Sequence, residues 1–242
     1  MNTIKIDSKQ AKMVAHRGLS GIERENTNPA FVAAGNRSYY GIETDVHISA
    51  DGKFVIIHDE TTDRVSNKAV SINVEEVAYD AVKDVVLPDR DGSTLRSDIR
   101  VPLLAEYVYI CKKYEKYCVL ELKNHFPEEY IPKLIAEIEA LDYLDGMIYI
   151  SFDWANCVNL RKLLPEARIQ FLTSKPVDDA LVESLAANKL DLDIYYARLS
   201  KDAVDQLHAK GIEVNAWTCD IADQGERLAA MGVDYITSNI LE

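Results

Sequence analysis

The sequence predicts an α/β protein closed as a (β/α)8 TIM barrel. Two patterns and a length point there. Eight short apolar runs rich in β-branched and aromatic residues recur along the chain. Most are separated by segments with apolar residues at three- and four-residue spacing, the signature of parallel strands alternating with amphipathic helices. The chain has 242 residues, close to the length of about 250 typical of eight parallel strands closing on themselves. A doubly wound open sheet has the same periodicity and stands as the alternative.

The predicted strands are Met13–His16, Ile42–His47, Tyr117–Lys123, Met147–Phe152, Ile169–Thr173, Leu192–Ala197, Val214–Thr218 and Val233–Thr237. Ile131, Leu134, Ile135, Ile138 and Leu141 form one helical stripe, and Leu181, Val182, Leu185 and Leu190 another. Asn26-Thr27 is placed to cap the first helix. Asp51-Gly52 marks a two-residue hairpin loop leading into the apolar run Phe54–Ile57. From Thr61 to about Arg100 the rhythm stops, and short pieces with turn signals such as Pro88-Asp89-Arg90-Asp91-Gly92 take its place. That interval is expected to be an insertion between the second and third barrel strands, near the mouth of a site. No Pro/Gly-rich linker divides the chain, so residues 1–242 are expected to form one domain.

Composition excludes several function classes. Lys+Arg number 27 against 40 Asp+Glu, a net charge of −13, with 48% hydrophobic and 28% charged residues. This is the balance of a soluble globular protein, and the acid excess disfavours a partner such as nucleic acid or an anionic membrane surface. A small basic pocket remains compatible with it. No apolar run approaches 18 residues, so stable membrane insertion is not expected. The opening residues lack the long apolar core of a secretory signal. Cys111, Cys118, Cys157 and Cys219 show no C-x-x-C spacing and are expected to be buried free thiols in a reducing, cytoplasmic setting.

The chemistry clusters early. His16, His47 and His58 lie near Glu43, Asp45 and Asp59. Strand alternation puts Glu43, Asp45 and His47 on one face and Ile42, Thr44 and Val46 on the other. A two-residue loop at 51 and 52 sets Asp45 opposite His58, with Cβ atoms about 5 Å apart. Taken singly, an acidic residue on an alternating strand belongs to the wet face. His47 reads as an exposed hairpin residue, and His125 and His208 as surface residues. Two carboxylates inside Ile-Glu-Thr-Asp-Val are different, because their apolar flanks imply burial and buried carboxylates need a partner. Val119-Leu120-Glu121-Leu122-Lys123 supplies a third carboxylate and an amine on one face. Three carboxylates with few sulfur or imidazole candidates suit one hard divalent cation, Mg2+ or Ca2+.

These residues resemble the glycerophosphodiester phosphodiesterase family, relatives of the phosphatidylinositol-specific phospholipases C. The resemblance runs through Val14-Ala15-His16-Arg17-Gly18, Glu25-Asn26-Thr27-Asn28-Pro29-Ala30-Phe31, Gly41-Ile42-Glu43-Thr44-Asp45-Val46, Ser49-Ala50-Asp51-Gly52 and His58-Asp59. It continues in Val101-Pro102-Leu103-Leu104, Leu120-Glu121-Leu122-Lys123, Ser151-Phe152, Asn215-Ala216-Trp217-Thr218 and Gly232-Val233-Asp234. It implies a barrel with a small insertion after the His-Asp strand. It further implies His16 and His58 as catalytic residues, Arg17 and Lys123 on the substrate phosphate, and Glu43, Asp45 and Glu121 on the metal. Phe152 and Trp217 are expected to pack on glycerol carbons, although core filling serves equally well for them. The implied reaction is metal-dependent hydrolysis of a small-molecule glycerophosphodiester to sn-glycerol 3-phosphate and an alcohol. Two alternatives are a lysophospholipase D or phospholipase C-like enzyme acting on lipids, and a non-catalytic barrel that binds phosphorylated ligands.

Overall fold

The computed structural model describes residues 2–242. Nine strands form one sheet: β1 (Lys12–Ala15), β2 (Gly41–Ile48), β3 (Phe54–Ile56), β4 (Tyr117–Leu122), β5 (Met147–Ser151), β6 (Arg168–Thr173), β7 (Asp191–Tyr195), β8 (Val214–Trp217) and β9 (Tyr235–Ser238). Eight run parallel, and β1 pairs with both β2 and β9, so the sheet closes on itself. Closure excludes the open doubly wound alternative. The remaining strand, β3, is antiparallel to β2 and belongs to the hairpin.

Among the described residues, seven α-helices cover the barrel: α1 (Asn28–Gly35), α2 (Leu104–Lys113), α3 (Tyr130–Ala140), α4 (Trp154–Leu163), α5 (Asp179–Asn188), α6 (Lys201–His208) and α7 (Ala222–Met231). Short polar residues start several of them. Asp153, Asp178 and Ser200 each accept from backbone N–H groups of the first turn. Thr27 occupies the same place before α1 but does not cap with its side chain. Its hydroxyl turns back and donates to the Arg24 carbonyl at 2.6 Å, while Pro29 supports the first turn.

Strand alternation divides the interior in two. Outward residues such as Ile42, Val46, Leu120, Ile169 and Ile194 join Phe31, Tyr107, Leu134, Leu160 and Leu185 of the helices in one continuous core. Inside the barrel, Val14, Val119, Ile148, Ile150, Leu172 and Tyr235 form a second core. Beneath it Tyr40 stacks on Tyr117 with centroids 4.5 Å apart, Arg168 lies 4.8 Å from the Tyr117 ring, and Lys12 lies 4.5 Å from that of Tyr235. The N-terminal end of the barrel is thereby filled with side chains. Between β3 and α2 the chain builds a small separate core of Val65, Val74, Val82, Val85, Leu87, Ile99 and Val101 on Val55 and Ile57. All four cysteines are buried and free. Among the described residues, no helix is long and apolar enough to cross a membrane.

Candidate active site

The residues singled out in sequence converge on the C-terminal end of the barrel. His16, Arg17, Glu43, His58, Glu121, Phe152 and Trp217 line one cavity of about 190 Å3. Asp45 and Lys123 join them through direct contacts described below.

After β1 the chain turns through two left-handed residues, Arg17 at φ 52° and Gly18 at φ 73°. A side chain at Gly18 would also put its Cβ 2.7 Å from the Ala30 backbone, so the sharp turn needs glycine here. The turn aims the Arg17 amide at Glu43 Oε2, 2.7 Å away, and its guanidinium toward Glu25 (2.9 Å) and Asp45 (3.5 Å). His16 Nδ1 lies 2.7 Å from Asn239 Oδ1. The Asn239 amide nitrogen donates to Asp220 at 2.6 Å, which fixes its oxygen toward the histidine. His16 therefore carries its proton on Nδ1, leaving Nε2 with a free lone pair 4.0 Å from Glu43. Burial first, and then Arg17, push the imidazole down to about 4.

Glu43, Asp45 and Glu121 are buried and each offers an oxygen within 4.8 Å of the others. Glu43 is pushed well up by burial and by Asp45, and Glu121 up to about 8 by burial and by the same neighbour. Burial would raise Asp45 as well, but Arg17, His58 and Lys123 outweigh it and hold that group low. Lys123 Nζ lies 2.8 Å from Glu121 and 3.6 Å from Asp45. Asp45 Oδ1 is buried without a hydrogen bond. An all-oxygen set, crowded, buried and incompletely paired, fits a divalent cation.

The hairpin differs from its predicted form. Ser49 N–H donates to the Lys53 carbonyl at 2.9 Å, so the loop holds three residues, Ala50, Asp51 and Gly52, with Gly52 at φ 76°. The extra residue shifts the register: Val46 faces Ile56 and His47 faces Val55. Ile57 N–H then donates to the Asp45 carbonyl at 3.1 Å, so His58 does not stand opposite Asp45. His58 still reaches the cavity, because β3 ends at Ile56 and the chain bends. Its Nδ1 lies 2.5 Å from Asp59. Burial, helped by Arg17 and Lys123, lowers the ring's affinity for a proton more than Asp45 and Asp59 raise it. His47 is buried rather than exposed, with Nδ1 2.7 Å from Glu75 of the insertion and Nε2 3.1 Å from the His58 carbonyl oxygen. His125 and His208 lie near the surface beside Asp153 and Asp234.

Several supporting residues were not among those expected at the site. Asn26, left-handed at φ 53°, donates to Asp45 Oδ2 at 2.8 Å and accepts from Thr44 at 2.7 Å. Arg64 of the insertion grips Glu25 with two nitrogens (2.7 and 2.9 Å) and Asp59 with two contacts (2.7 and 3.2 Å). It thus joins the partner of Arg17 to the partner of His58. Asp193 also lines the cavity, buried on β7. The apolar strand run around it gave the same signal that exposed Glu43 and Asp45.

The chain is similar to known proteins over nearly its whole length. The chain is 28% identical over 232 residues to a glycerophosphodiester phosphodiesterase of Caldanaerobacter subterraneus subsp. tengcongensis, covering 94% of this chain and 93% of that one. A crystal structure of a glycerophosphodiester phosphodiesterase from Parabacteroides distasonis superposes with a TM-score of 0.79 at 26% identity, covering 95% and 93%. An Oleispira antarctica phosphodiesterase, solved in complex with the product sn-glycerol-3-phosphate, gives 0.86 at 24% identity over 98% and 96%. The glycerophosphoryl diester phosphodiesterase family model matches residues 16–241, and the chain belongs to that family of phosphoric diester hydrolases.

Proposed function

We propose that the chain hydrolyses glycerophosphodiesters with His16 and His58 as its proton-transfer pair. Glu43, Asp45 and Glu121 would hold one divalent cation, Mg2+ or Ca2+, and Arg17 and Lys123 would face the phosphate. The observation that carries this reading is the placement of two histidines, each tied through Nδ1, around one cavity with three crowded carboxylates. The cation, when bound, supplies positive charge to phosphoryl oxygens as negative charge builds on them.

The protein's own groups account for the rest. Arg17 offers a planar fork and Lys123 a point charge to the anionic oxygens. His16 is the starting base: its Nε2 lone pair is free, and the neutral Asn239 gives little reason for the ring to become charged. With His16 as the base, His58 is left as the starting acid, and the Asp59 carboxylate works against the lowering of its proton affinity by burial. A glycerol hydroxyl beside the phosphate attacks phosphorus and gives its proton to His16, while the departing alcohol oxygen takes one from His58. Water then opens the cyclic phosphate: His58 takes a proton from the water and His16 returns one to the glycerol oxygen. The product is sn-glycerol 3-phosphate, the molecule held by the Oleispira antarctica relative. The four buried free thiols support a reducing, cytoplasmic setting.

The test is turnover of glycerophosphocholine, glycerophosphoethanolamine and a lysophospholipid by wild type, His16→Ala and His58→Ala, each checked for folding. The water-soluble diesters should be cleaved by wild type, and each variant should lose at least about 100-fold. Variants that fold and retain most of their turnover would overturn the proton-transfer assignment. Preference for the lysophospholipid would move the substrate to the lipid alternative.

A further inference from the structure

Inside the barrel, inward polar residues from β6, β8 and β9 are joined by hydrogen bonds, with Gln170 Nε2 left without an acceptor. Asn215 donates to Gln170 Oε1 at 3.1 Å and accepts from Thr237 at 3.0 Å. Asp193 of β7, in register with Asn215, stays outside this chain of bonds. It is 2% exposed, and Oδ1 is buried without a partner among the described residues. A second orphan stands on the neighbouring strand, β8. The Trp217 indole Nε1 is also buried without an acceptor, and its ring packs between Tyr195 (5.6 Å) and Phe152 (5.8 Å). Both residues line the cavity, whose other walls include Ile150, Leu172 and Phe152.

Leaving a buried carboxyl and an indole N–H unpaired beside a cavity is unfavourable unless a ligand completes them. The pair asks for one group that both donates and accepts, carried on a short apolar skeleton. An alcohol hydroxyl is such a group. It serves a carboxylate as donor and a carboxylic acid as acceptor, so the match holds in either protonation state. A quaternary ammonium has no N–H for Asp193, and a phosphate oxygen has no proton to share with it.

We propose that Asp193 and the Trp217 N–H form a specificity subsite for the glycerol hydroxyl that does not take part in the reaction. The inference rests on the glycerophosphodiesterase reading above. The experiment compares glycerophosphoethanolamine with its 1,2-propanediol analogue, which keeps the attacking hydroxyl and lacks the terminal one. Wild type should prefer the glycerol diester by about 10- to 100-fold in kcat/KM, the range set by one hydrogen bond to a charged group. Asp193→Leu should reduce that preference to within about threefold, and Asp193→Asn, which retains an acceptor oxygen and a donor, should keep part of it. Calorimetric binding of sn-glycerol 3-phosphate and of 1,2-propanediol phosphate gives the same comparison without turnover. Equal wild-type kcat/KM for the two diesters overturns the subsite alone, as does a full preference in Asp193→Leu. The wild-type comparison stands whether or not that variant folds. Absence of turnover with both diesters overturns the reaction and the subsite together.

Discussion

Arg64→Met removes the guanidinium that joins Glu25 to Asp59. Its side chain is 45% exposed, and those of Asp59 and Glu25 are 30% and 18% exposed. Half-exposed pairs contribute near the upper end of the surface range, about 1 kcal/mol each. Stability should therefore fall by about 2 kcal/mol, equivalent to about 4–8 °C in Tm for a chain of this length. Activity should respond more strongly. Burial would raise Asp59, but the hydrogen bonds from Arg64 and His58 outweigh it and hold the carboxyl down to about 2. Without Arg64 that carboxyl loses its anchor, and His58 and Arg17 lose fixed partners at the same time. Misplacement of reacting groups by about 1 Å costs up to about 100-fold, so kcat/KM for a glycerophosphodiester should drop about 10- to 100-fold. Arg64→Lys should recover part of this, since an ammonium reaches one carboxylate but lacks the fork for both. The assay pairs thermal unfolding with enzyme-coupled detection of glycerol 3-phosphate. A Tm loss with kcat/KM unchanged within about twofold would show that Arg64 stabilises the insertion without positioning the histidine.

Chelation should abolish turnover, and added Mg2+ or Ca2+ should restore it; metal-independent activity would refute the ligand role of the acid trio, and Glu43→Gln should weaken metal binding by calorimetry. The pH dependence of stability follows from His16, held at about 4 by burial and Arg17 against 6.5 for the free side chain. Its contribution is full above 6.5 and is lost as pH falls toward 4, because the unfolded chain takes up a proton the folded one refuses. With a chelator present, urea unfolding at pH 7.5 and 4.5 should differ more for wild type than for His16→Gln, by about 3 kcal/mol; parallel curves would contradict the buried neutral imidazole. His47→Leu keeps the bulk but removes both contacts to the insertion and to the His58 carbonyl. It should cost about 1–3 kcal/mol and speed proteolysis within residues 61–100, with unchanged cleavage counting against the tether.

The acid trio was legible because burial and strand period act locally. Glu43, Asp45 and Glu121 sit in apolar runs, and alternation alone turns them inward. The hairpin register was less accessible: Asp51-Gly52 signals a turn, but whether Ala50 joins the loop depends on the Ser49–Lys53 pairing. One residue of difference moved Ile57 opposite Asp45, and His58 arrived by a bend instead. His47 was misplaced because nothing in its own strand announces that residues 57–103 will fold over it. Asn26, Arg64, Asp220 and Asn239 come from loops without periodicity, and only tertiary closure brings them to the same end of the barrel. Thr27 failed as a cap because its hydroxyl had a nearer acceptor in Arg24.

The aromatic and cationic plug of Tyr40, Tyr117, Tyr235, Lys12 and Arg168 has a kinetic consequence. With that end of the barrel filled, the cavity is reached from the opposite, C-terminal end. Substrate would then enter, and both products depart, by that end, where Phe152 and Trp217 line the cavity. If Arg17 and Lys123 hold the phosphate as proposed, a phosphomonoester bound to them would block the next diester, and the pace of the cycle would follow release of the anionic product.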